Sequence, residues 1–71
     1  MDPVLRRFGA NVREARLAKG WTQETLGKRA GLATVQISRI ERGRREVRIK
    51  TLLKLVRALD VTPGELLEGT F

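Results

Sequence analysis

Apolar residues along this chain recur at helical spacing, and no segment alternates as a half-buried strand would. Leu5, Phe8, Val12 and Ala15 share one face of a first helix. Asp2 before Pro3 opens it, an N-cap with proline at the first helical position. Lys19 and Gly20 close it, a cation at the negative end and a glycine suited to the left-handed cap. Thr22 caps a second helix over roughly 23–30 that stops at Gly31, with Trp21 and Leu26 at the spacing of a hydrophobic staple. A third helix is predicted over roughly 34–42, ending at Gly43. Ala33 before it is a poor cap, so Thr34 is expected to take that role. Residues 44–48 read as a basic connector. Ile49, Leu52, Leu53, Val56 and Leu59 then form one stripe of a fourth helix, with Leu55 widening it. Thr62, Pro63 and Glu65 give an N-cap, a proline at the first position and a capping-box partner for a short fifth helix through Leu66 and Leu67. The expected fold class is all-α: five short helices around one core, a single domain over residues 1–71.

Composition narrows the function. The hydrophobic share of 41% allows a core. Cores of this size rarely supply more than ~3–5 kcal/mol, so tight helix packing or a partner chain is expected. The 71 residues include no cysteine, histidine or tyrosine. Disulfides, thiolate or imidazole metal sites and the usual general bases are therefore absent, and the carboxylates are scattered rather than paired. No catalytic constellation, metal site, cofactor or small-molecule ligand is expected. No apolar run reaches the ~18–20 residues of a membrane span, so an intracellular, cytoplasmic protein without membrane association is expected.

Charge points to a polyanion. The net charge is +7, and most of it sits in residues 39–57. That stretch holds Arg39, Arg42, Arg44, Arg45, Arg48, Lys50, Lys54 and Arg57 against Glu41 and Glu46 alone. Arginine is the better binder of phosphate and guanine, which favours nucleic acid over a merely solvated face. The cations do not lie along one long amphipathic helix and stacking aromatics are scarce, which argues against a membrane-surface or RNA-binding peptide.

The segment Gln23 to Arg42 has helix-turn-helix spacing, with Gly27 small where the two helices approach, Gly31 in the turn, and Leu26, Ala30, Leu32, Ile37 and Ile40 at buried positions. On a wheel of about 100° per residue, Ile37, Ile40 and Glu41 mark the inward face of the third helix. Val35, Ser38, Arg39 and Arg42 then project outward, with Thr34 at the leading end and Gln36 on the flank. Arg39 is suited to donate two hydrogen bonds to guanine O6 and N7, or one to a phosphate. Val35 suits a thymine methyl, Thr34 can donate, accept or touch a methyl, and Ser38 is a further candidate for a base contact. Gln36 is a candidate for a base edge or a phosphate, and Arg42, Arg44, Arg45 and Arg48 are candidates for the DNA backbone.

The wider chain resembles the phage-repressor (lambda-repressor-like, Xre) helix-turn-helix family over about residues 5–68. The resemblance rests on Phe8-Gly9, Val12-Arg13, Arg16 and Gly20, then TQETLGKRAGL from Thr22, ISRIERG at 37–43 and TLLKLVRALDVTPGELL at 51–67. It implies a five-helix DNA-binding domain and a bacterial or phage transcriptional regulator, usually a dimer on a pseudo-palindromic duplex operator. A chain this short fits a stand-alone regulator, as restriction–modification controller proteins are, or a piece of a longer repressor. The resemblance places base contacts on Thr34, Val35 and Arg39 and a phosphate contact on the Gln23 amide. Relatives also match Arg16 and Glu41, which are expected to form a buried ion pair, because an unpaired inward carboxylate is costly. An antitoxin-type interaction module that also binds DNA is the alternative. The last helix is too short to bury all its apolar residues, so a homodimer through Leu66, Leu67 and Phe71, with Leu55 contributing, is expected. This sequence departs from the family pattern at Ala33, at Thr25, where Glu would complete a capping box, and at Val47 and Arg48, where Pro and Ser are common.

Overall fold

The computed structural model describes residues 2–71. Among them the chain forms α1 (Pro3–Ala18), α2 (Gln23–Ala30), α3 (Thr34–Glu41), α4 (Ile49–Leu59) and α5 (Pro63–Leu66).

The helix starts follow from side-chain oxygens. The Asp2 carboxylate accepts from the Val4 and Leu5 amides at 2.8 and 3.3 Å. The Thr22 and Thr62 hydroxyls accept from the Thr25 and Glu65 amides, both at 3.1 Å. Each satisfies an amide that the helix itself leaves without a partner. The start of α3 is different. Ala33, not Thr34, occupies the cap position, and alanine has no oxygen to offer. Gln36 reaches back instead, and its Oε1 accepts from the Ala33 amide at 3.2 Å.

The core is made by Phe8 and Val12 of α1, Leu26 and Ala30 of α2, Ile37 and Ile40 of α3, Leu55 and Leu59 of α4, and Leu66 of α5. α1 and α2 both pack on α3, α4 lies against α2, and α5 bridges α1 and α4. α1 approaches α3 closely at Gly9, where the Ile40 and Glu41 carbonyls occupy the space a Cβ would fill. The C-terminal turn is tied down by Asn11, whose Nδ2 donates to the Leu66 and Glu68 carbonyls at 2.9 and 2.8 Å.

Two of the residues expected at an interface between copies are corrected by this packing. Leu55 is 0% exposed and Leu66 is 1% exposed. Both are consumed by the core of one chain, where α4 packs on α2 and α5 folds back onto α1 and α4. Leu67 is half-buried and Phe71 fully exposed. Ile49, expected on the buried stripe, is instead 71% exposed at the first position of α4, and Leu53 one turn later is also exposed. The apolar arc of α4 is wider than the core it faces, so one flank is covered and the other is not.

Candidate nucleic-acid interface

α3 presents its inward side to Leu26, Ala30 and the helices behind it, which leaves the opposite side to solvent. Thr34, Val35, Arg39 and Arg42 are exposed along that side. Val35 is 53% exposed, an apolar side chain outside the core. Ser38 is half-buried; its carbonyl accepts from the Arg42 amide at 3.1 Å and from Arg42 Nε at 3.4 Å. Gln36 is partly committed, since its carbonyl oxygen caps α3 and only its Nε2 remains free to donate outward.

Arg44, Arg45 and Arg48 are exposed on the connector beyond α3. Among the described residues none of the three has a carboxylate within 4 Å. Arg48 holds the N-cap position of α4 without a side-chain bond, so its charge sits at the positive end of a helix dipole. The exposed side of α3 and the connector together carry Arg39, Arg42, Arg44, Arg45 and Arg48, with the uncharged Thr34 and Val35 at the leading end of α3.

This surface is oriented by a buried network. Arg16 Nε donates to Glu41 Oε2 at 2.7 Å and Arg16 Nη2 donates to Oε1 at 2.9 Å, a bidentate pair. The two side chains are 9% and 2% exposed. The third guanidinium nitrogen, Nη1, donates to the Trp21 carbonyl at 2.7 Å. Gln23 Nε2 donates to the same Glu41 Oε1 at 3.1 Å. The carboxylate at the end of α3 therefore holds α1 through Arg16 and the first residue of α2 through Gln23, and Arg16 in turn holds the turn before α2. Gln23, which the family resemblance puts against a phosphate, has one amide proton engaged here and its oxygen free. Trp21 is itself clamped between cations, with Arg29 at 4.7 Å and Lys19 at 5.5 Å from the ring centre. Among the described residues no buried side-chain polar atom lacks a partner.

Hydrogen bonding to Glu41 raises the Arg16 pKa above its ordinary value; desolvation opposes this and Coulombic attraction adds to it. A raised folded-state pKa on a base means the stabilisation is complete below the ordinary arginine value and lost only as pH climbs past the raised one. The pair therefore holds across neutral and moderately alkaline pH.

No local sequence pattern marks Asn11, which closes hydrogen bonds across more than fifty residues of chain. Arg6 and Arg13 of α1 belong to no binding motif either, although their spacing puts them on one helical face.

The helix-turn-helix family profile matches residues 12–66. Control protein C.BamHI of Bacillus amyloliquefaciens is 42% identical over 64 residues, covering 89% of this chain and 79% of that protein. An uncharacterized HTH-type transcriptional regulator, y4dJ of Sinorhizobium fredii, is 40% identical over 62 residues, covering 87% and 80%. Among solved structures, the restriction-modification controller protein C.AhdI from Aeromonas hydrophila superposes with a TM-score of 0.85 at 47% identity, covering 87% of this chain and 94% of that one.

Proposed function

Because this chain belongs to the helix-turn-helix family, we propose that it is a transcriptional regulator that binds duplex DNA with sequence preference, placing α3 in the major groove. The observation that carries this reading is the exposed side of α3, where Thr34, Val35 and Arg39 stand clear of the core beside the arginine-rich connector. The likeness to control proteins favours a controller of this kind; in this reading it acts on its own operon, in the cytoplasm and at the nucleoid. In this reading Arg39 pairs bidentately with a guanine, Val35 covers a thymine methyl, and Thr34 contacts the leading base. Gln36 caps α3 and offers only its Nε2 to the groove. Gln23, Arg42, Arg44, Arg45 and Arg48 position the duplex by its phosphates. The active species is a two-fold dimer, whose recognition helices sit about 34 Å apart. Its interface draws on the exposed Phe71, Ile49 and Leu53 and the half-buried Leu67.

Base-reading and phosphate-binding arginines fail differently. Arg39→Ala is expected to cost ~1–3 kcal/mol per half-site and to relax the preference at one base pair. Arg44→Ala is expected to weaken binding to every sequence alike and to lower the salt slope by about one for each phosphate no longer neutralised. Titrations of both variants on the preferred duplex and on single-base changes, across a salt series, separate them. A uniform loss for Arg39→Ala would make Arg39 a phosphate ligand and leave specificity with Thr34 and Val35.

A further inference from the structure

A second cationic surface lies beside the recognition side of α3. Arg6, Ala10, Arg13 and Leu17 recur on one face of α1 and line an open groove whose other wall is Arg42 and Arg44. All four arginines are exposed, and among the described residues none has a carboxylate within 4 Å. Glu14 is an exposed anion on the rim, whereas Glu41 at the base is neutralised by Arg16. Four guanidinium groups around one groove repel one another, and a bound polyanion relieves that repulsion.

The groove is fixed by the backbone. Gly43, at φ +69°, is buried against α1, and a Cβ there would lie 2.7 Å from the Arg6 Cα. The connector thus touches α1 at Arg6, with Arg42 and Arg44 on either side of that point. Arg42 also belongs to the exposed side of α3, so the groove continues the surface assigned to DNA. Arg6 and Arg13 are seven residues apart, about 10.5 Å along a helix axis.

We propose that Arg6 and Arg13, with Arg42 and Arg44, form a backbone track that takes phosphates of the duplex outside the bases read by α3. The inference rests on the DNA-binding reading and extends the footprint onto α1. Continuity through Arg42 favours a phosphodiester strand over an acidic protein segment.

The test compares the wild-type chain with Arg6→Gln/Arg13→Gln on a preferred duplex with long flanks and on one trimmed to the bases read by α3. On the long duplex the variant loses affinity on every sequence, and its salt slope falls by about two per protomer. On the trimmed duplex the two proteins bind alike. Arg6→Lys/Arg13→Lys keeps the wild-type slope, because a phosphate track reads charge. Thermal unfolding of the variants matches wild type, since neither side chain is buried. Equal slopes and affinities for wild type and the Gln variant on the long duplex overturn the proposal. Loss of polyglutamate binding with duplex binding intact also overturns it, and assigns the groove to an acidic protein segment. A wild-type chain without any sequence preference is a different failure, that of the DNA-reading assignment for α3, and leaves the slope comparison on random duplex to decide the track.

Discussion

Glu41→Gln is expected to remove ~3–5 kcal/mol of stability, the cost of leaving a buried charge without its counter-ion. A chain of this size is stable by about 4–11 kcal/mol at ~0.05–0.15 kcal/mol per residue, so the loss is a large part of the total. The magnitude follows from the geometry. Glu41 accepts three side-chain hydrogen bonds, two from Arg16 and one from Gln23, at a site almost closed to water. A neutral amide leaves the guanidinium charged and desolvated and presents a donor where an acceptor is needed. Replacing both partners by apolar residues of similar volume, Arg16→Met with Glu41→Leu, is expected to recover part of the loss. Recovery stays incomplete because the Trp21 carbonyl and Gln23 Nε2 then lack their partners. Urea unfolding of the two variants checks this. A Glu41→Gln midpoint equal to wild type would mean that the pair adds nothing to stability.

Gly9→Ala is expected to lower the melting temperature although alanine is the better helix former by ~1 kcal/mol. At Gly9 a methyl meets the Ile40 carbonyl oxygen and lies 2.7 Å from that of Glu41. Both are backbone atoms at the end of α3 and cannot rotate away, so α1 and α3 must separate. Overpacking of this kind costs typically ~1–3 kcal/mol, occasionally more. In a domain of this length ~1 kcal/mol shifts the midpoint by roughly 4–8 °C. The shift also moves Glu41 away from Arg16, so DNA affinity falls as well. A midpoint at or above wild type would show that the two helices have slack where they meet.

Most of the fold was legible because its helix starts carry their own caps. Asp2, Thr22 and Thr62 each bring an oxygen to the free amides, and the structure uses all three. The start of α3 was misread for the complementary reason. Ala33 has no side-chain oxygen for the first amides of α3; Gln36, three positions on, instead accepts from the Ala33 amide itself, so its side-chain amide is divided between the helix start and the groove. The α4 stripe was legible as amphipathic but not as to which flank is covered. Leu55 and Ile49 both belong to one wide apolar arc, and the packing of α4 against α2, α5 and α1 buries the first and leaves the second exposed. Leu66 was misassigned with Leu55, since a four-residue helix gives no periodicity from which to read an inward side. Among the site residues, the outward positions of α3 followed from helical phase alone. The role proposed for Arg6 did not, because it depends on the chain reaching α1 at Gly43, an approach with no trace in local sequence.

Sequence reading by α3 is best tested by selecting bound sequences from a random duplex pool. One enriched motif is expected, with two inverted half-sites about one helical turn apart and a guanine preference at one position per half-site. That guanine preference weakens when the selection is repeated with Arg39→Ala. Enrichment of no motif, or of the same motif with undiminished guanine preference by Arg39→Ala, would contradict it.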